Sequence, residues 1–245
     1  GSDIDGEAAG DQSGVAVSLS SDGSTVAIGA HYNDGNGTNA GHVRVYKNIS
    51  GTWTQIGYDI DGEVANDQSG VSVSLSSDGS IVAIGAWSND GNGTNAGHVR
   101  VYKDISGTWT QIGSDIDGEA ANDFSGSVSL SSDGSTVAIG AFNNNDSKGT
   151  NAGHVRVYEN DNGVYNGVWT QLGSDIDGES AGDFYGGAVS LSSDGSTVAI
   201  GAYSNDGNGT NAGHVRIYKN ISGTWTQLGS DIDGEAAGDQ SGVAV

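Results

Sequence analysis

Carboxylates spaced as ligands for a hard cation open the sequence. Asp3, Asp5, Glu7 and Asp11 stand at alternate or near-alternate positions in GSDIDGEAAGD. The spacing returns at Asp59, Asp61, Glu63 and Asp67, at Asp115, Asp117, Glu119 and Asp123, at Asp175, Asp177, Glu179 and Asp183, and at Asp231, Asp233, Glu235 and Asp239. These sets hold 20 of the 31 acidic residues, so the acidity is concentrated in particular loops. Calcium takes six to eight oxygens at about 2.3–2.6 Å, and alternate acids around a bend at Gly6 would offer several from one side. The same residues also suit a second role. Asp and Glu cap turns through backbone N–H groups, and the arginine of each repeat (Arg44, Arg100, Arg156, Arg216) can pair with them. Calcium ligation and turn capping both remain open at this level.

Other reactive types are less suggestive. His42, His98, His154 and His214 each lie two residues before that arginine, and one histidine per repeat makes a ring rather than a cluster. They read as hydrogen-bonded strand histidines. Asn-x-Ser/Thr triplets at Asn36, Asn48, Asn92, Asn145, Asn208 and Asn220 are candidate glycosylation sites in loops or turns. No nucleophile-plus-base arrangement departs from the repeat pattern, which points away from an enzyme.

The carboxylate loops are positioned by a repeating unit. The opening stretch Gly1–Val17 returns letter for letter at Gly229–Val245, with variants beginning at Gly57, Gly113 and Gly173. A period of this length signals a solenoid or propeller, whose units stack because none can bury its apolar face alone. Within the first unit, SGVAVSLS alternates Val15, Val17 and Leu19 against Ala16 and Ser18, as a strand does. Asp22-Gly23 makes a tight turn into STVAIGA, and the polar loop 31–41 follows. GHVRVYKN is then a third strand, and TWTQIGYDI, residues 52–60, a fourth. The predicted fold is all-β: a propeller of four-stranded antiparallel blades at 13–60, 69–116, 125–176 and 185–232, with 233–245 starting a further repeat. Trp53, Trp109, Trp169 and Trp225 recur on the fourth strand and read as packing residues. The third repeat shortens the first strand and lengthens the later hairpin, NDNGVYNGVW.

Three elements, DFYGG at Asp183–Gly187 or DFSG at Asp123–Gly126, VAIGA at Val26–Ala30 and AGHVRVY at Ala40–Tyr46, recur in this order. In this the chain resembles the FG-GAP repeats of the integrin α-chain propeller and its bacterial relatives. The resemblance implies a β-propeller, usually seven-bladed, outside the cell and engaged in adhesion or recognition. Such repeats commonly carry a calcium loop between the first two strands. Here that hairpin is only Ser20–Ser24, so calcium is expected in the linker loops instead.

A formal charge of −23 repels phosphate backbones and disfavours nucleic acid or anionic membrane as a partner, while favouring cations. No stretch has the continuous apolar length of a membrane span. Cysteine is absent, which excludes disulfides and thiolate metal sites. Near-identical blades point to one surface used many times. The sequence therefore predicts an extracellular or cell-surface structural or adhesive repeat protein, self-associating through its repeat ends and polymerising by strand or blade exchange. The alternative reading is a calcium-dependent propeller module that binds glycan or protein ligands. The second copy of Gly1–Val17 exceeds what a closed four-bladed ring uses, and suggests either a longer array or a strand given to a neighbour.

Overall fold

The computed structural model describes residues 3–145, 148–160 and 167–245. Part of the third repeat's hairpin insertion, and two residues of the Asn145 acceptor triplet, fall outside these. Among the described residues there is no helix, and the strands form four sheets. The first blade shows the pattern: β1 is Ala16–Leu19, β2 is Thr25–Ala30, β3 is His42–Ile49, β4 is Thr52–Gln55 and β5 is Ile60–Asp61. Their order is β1-β2-β3-β4, all antiparallel, with β5 also on β3. This is the all-β, four-stranded blade expected from the alternation of Val and Ile with small or polar residues.

A departure common to the four blades concerns the fourth strand, which the sequence draws as continuous. Gln55 pairs with Tyr46 and Ile60 with Val43, so the residues from Ile56 to Asp59 face only Arg44 and Val45 on β3. The extra length is taken up at Gly57, where φ of 70° suits a residue without Cβ. Gly113, Gly173 and Gly229 repeat the turn. The result is a β-bulge, the device by which a strand re-aims a side chain. Here it throws out Asp59.

Blades meet along backbone and apolar side chains. A Cβ on Gly29 would strike the Gly70 carbonyl of the next blade, and Gly85, Gly140 and Gly201 face Gly126, Gly186 and Gly242 in the same way. That close approach explains the glycine in each VAIGA. First strands lie side by side across seams: Leu75 N donates to Ser18 Oγ at 2.9 Å and Leu130 N to Ser74 Oγ at 2.9 Å. The hairpin turns link likewise, Ser21 N to Ser77 O at 2.9 Å and Ser77 N to Ser132 O at 2.7 Å. Tryptophans reach backwards to the preceding blade. Trp109 Nε1 donates to Ile56 O at 2.9 Å, Trp169 Nε1 to Ile112 O at 2.9 Å and Trp225 Nε1 to Leu172 O at 2.7 Å. Their packing role, read from sequence, is what the structure displays.

Burial shows that stacking completes each core. Val73 and Leu75 are buried in the second blade, whereas their counterparts Val17 and Leu19 on the first are 61 % and 57 % exposed. At the mouth of the blades the phenylalanines of the FG element stack on aromatic residues that follow VAIGA: Phe124 on Phe142 at 5.7 Å and Phe184 on Tyr203 at 5.5 Å. Where glutamine replaces phenylalanine, Gln68 Oε1 accepts instead from Trp87 Nε1 at 2.6 Å.

Candidate metal centre

The linker carboxylates do not gather around themselves. Each linker runs from the outer edge of one blade to the start of the next, so its acids serve two seams. Asp59, thrown out by the bulge, points back at His42, the first residue of β3. Glu63, four residues later, has crossed to His98 of the second blade. The groups that converge are therefore Glu7, His42 and Asp59; Glu63, His98 and Asp115; Glu119, His154 and Asp175; and Glu179, His214 and Asp231, with ligand atoms within 4.8 Å of one another.

The first seam shows the geometry. His42 is 1 % exposed, and its Nδ1 lies 3.6 Å from Asp59 Oδ2 and 3.9 Å from Glu7 Oε2. Those separations are too long for hydrogen bonds. Asp59 is steadied through its other oxygen, which accepts from Gln55 Nε2 at 2.6 Å, leaving Oδ2 turned to the imidazole. Arg44 Nη1 stands 3.6 Å from Glu7 Oε1, on the side away from His42. Its Nη2 donates to the Asp5 carbonyl at 2.7 Å, and the guanidinium lies 5.6 Å from the centre of the Tyr46 ring. The second and third seams repeat this, with Arg100 on Asp61 O and Arg156 on Asp117 O, both at 2.8 Å.

The remaining members of each set have other duties. Asp11, Asp67, Asp123 and Asp183 are buried caps. Their carboxylates accept from linker N–H groups, as Asp67 does from Glu63 N at 3.1 Å and Val64 N at 3.0 Å. Asp11, Asp123 and Asp183 also accept from Asn33, Asn144 and Asn205 at 2.9, 3.1 and 3.0 Å. Asp61 pairs in β5 opposite His42, with Asp117, Asp177 and Asp233 in the same register. Burial first, and then the neighbouring Asp59 or Asp115 carboxylate, raises Asp61 and Asp117 above the usual carboxylate range. Asp3, Glu235 and Asp239 lie outside the four groups. The short hairpin that stands where FG-GAP repeats carry calcium is tied up internally: Asp22 accepts from Ser24 N and Ser20 Oγ, which holds it down at about 2.

Two features escaped the sequence reading. One is the histidine, set aside because one per blade cannot cluster with its copies; carboxylates come to it instead. Its signal was its fixed place between a Glu before it and an Asp after it. The other is Tyr58, 90 % exposed beside Asp59. It is the one tyrosine where the other linkers have Ser2, Ser114, Ser174 and Ser230. A shallow, open cleft of about 440 Å³ lined by Gln55, Gly57, Tyr58, Asp59 and Asp61 lies there. Of the glycosylation candidates, Asn36, Asn92 and Asn208 spend their amide nitrogens on the Gly62, Gly118 and Gly234 carbonyls. Asn48, Asn145 and Asn220 cap turns through their oxygens.

The description FG-GAP repeat matches at residues 4–46, 60–102 and 175–218, more than half of the chain. The chain belongs to the FG-GAP repeat family. A comparison with curated proteins finds none that matches. Among solved structures, this FG-GAP chain is similar to the periplasmic gluconolactonase of Pseudomonas aeruginosa, with a TM-score of 0.59 and 16 % identity over 89 % of this chain and 56 % of that one. It is similar also to proteins assigned as 6-phosphogluconolactonases from Bacteroides fragilis (0.58, 15 %, 93 % and 55 %) and Bacteroides uniformis (0.56, 14 %, 89 % and 54 %). The chain thus spans little more than half of each. At such identity the likeness establishes the propeller fold. It also corrects two expectations. A structural or adhesive role and the absence of enzymatic activity were argued from near-identical blades. The fold is shared with lactonases, and Tyr58 and the fourth seam show that the blades are not equivalent.

Proposed function

We propose that this FG-GAP propeller is a cation-assisted hydrolase of sugar lactones, acting at the first seam. The observation that carries the reading is the Glu7–His42–Asp59 group beside the Tyr58 cleft, with Asp59 common to both. One buried imidazole nitrogen and two carboxylates suit a borderline divalent ion such as zinc, manganese or cobalt better than calcium, which prefers oxygen alone. Bound there, such an ion supplies Lewis acidity and a more acidic water. Glu7, His42 and Asp59 would hold it, Gln55 fixes Asp59 through a hydrogen bond, and Tyr58 offers a flat face to a sugar ring. Hydrolysis adds water oxygen to the lactone carbonyl carbon and breaks the ring C–O bond; the ring oxygen takes a proton, and the acid formed releases one to solvent at neutral pH. The lactonase assignments of similar folds support the substrate class, and the periplasmic location of the Pseudomonas protein supports a place outside the cytoplasm.

The test is proton release from glucono-δ-lactone in a pH-stat. Chelator-treated protein should match the spontaneous rate, and manganese or zinc should restore a saturable rate that Asp59→Asn lowers by about 100-fold or more. No rate above background with any of these ions would overturn the reading.

A further inference from the structure

The fourth seam carries the same residue types as the other three but a different arrangement. Arg216 has left its place: Nε and Nη2 grip Asp231 Oδ1 and Oδ2 at 2.9 and 2.8 Å, and Nη2 also contacts Glu179 Oε1. Asp231 Oδ2 still lies 3.8 Å from His214 Nδ1, as its counterparts do in the other seams, but here the two carboxylates also hold a guanidinium between them. The sequence supplies a cause. At the position of Ser13, Ser69 and Ser125 in the other linkers stands Tyr185, fully buried, its ring edge-on to His214 at 6.3 Å. A phenol ring among His214, Arg216 and Tyr218 takes room that the serines leave to the arginine.

We infer that the first three seams each bind one divalent cation, and that in the fourth Arg216, displaced by Tyr185, stands in that cation's place. In the first three, histidines that are 1 % exposed aim Nδ1 at two carboxylate oxygens, with no hydrogen bond between them. The arginine there donates to a backbone carbonyl, lies over a tyrosine face and stands 3.4–3.6 Å from the glutamate's Oε1, so the Oε2 and Oδ2 atoms are left open to an ion. In the fourth, bidentate pairing satisfies Asp231 before any ion arrives, and such pairs are strong when planar and partly buried. The inference shares with the proposed function only the premise that these donor sets take a cation.

The experiment counts cobalt(II) bound to the chelator-treated chain, by calorimetric titration and by native mass spectrometry. Wild type should take three equivalents and Tyr185→Ser four; serine is native at that position in the other four linkers, so the fold should tolerate it. Should that variant fail to fold, Arg216→Gln, which removes the guanidinium, should also give four. Four equivalents in wild type, three in the variants, or no binding at all would overturn the inference. Three ions without lactone hydrolysis would leave it standing while removing the proposed function.

Discussion

In the first three seams an arginine lies over a tyrosine and donates to a backbone carbonyl; in the fourth it is clasped by two carboxylates. The contrast rests on one exchange, serine to Tyr185, and teaches that repetition of sequence does not guarantee repetition of a site. The pattern of acids, histidine and arginine is the same in every unit. What differs is the volume available next to it. A buried phenol redirects a guanidinium, and a charge that was a neighbour of the site becomes its occupant.

The largest expected effect separates seams by how they are packed. Trp169, 8 % exposed and bonded to Ile112 O, should lose about 3–5 kcal/mol on change to Ala, as buried aromatic truncations do. Trp53, only half-buried, should lose far less. Urea denaturation of both variants measures the difference, and equal losses would contradict the stacking account. Next in size is chemistry: Asp59→Asn should reduce cation-dependent lactone hydrolysis by about 100-fold or more, in the range of lost electrostatic stabilisation, whereas Asp231→Asn at the arginine-filled seam should leave it within about twofold.

Acid should then weaken the seams in two stages without any metal. Burial, with Arg100 adding to it, lowers His98 to about 4. The unfolded chain binds that proton first, so the contribution of a neutral His98 is complete above its ordinary value near 6.5 and is lost as pH falls towards 4. In the fourth seam the hydrogen bonds from Arg216 lower Asp231. That contribution is present above the ordinary carboxylate value and disappears only as pH drops below it. Melting temperature against pH in chelator should therefore fall first between about 6.5 and 4, and His98→Gln should flatten that part of the curve. The smallest effect belongs to Tyr58→Ser, which restores the residue of the other linkers: KM for the lactone should rise a few-fold, consistent with losing one stacking face, with stability unchanged.

The sequence made the blades legible because the two-residue alternation, the Asp-Gly turn and the recurring tryptophan are local signals that the packing then uses. The division of the fourth strand was less so, since Gly57 reads as one glycine among 43. Its left-handed turn matters because it is what aims Asp59. The site itself was half visible. The acids were found, but their spacing along the linker suggested one nest, whereas a linker crossing a seam sends Asp59 and Glu63 to different histidines. Partners brought together across blades leave no mark in local spacing. Tyr58 and Tyr185 did leave one, as the single departures from serine at their positions, and comparison of the copies position by position would have exposed both.

Cations seated at the seams beside buried histidines would scatter anomalously. Crystals soaked in manganese and measured at its absorption edge should show peaks among Glu7, His42 and Asp59 and at the two corresponding seams, with none beside Arg216. A map without peaks at these histidines, or with its peaks at the Asp11-type caps instead, would contradict that seating.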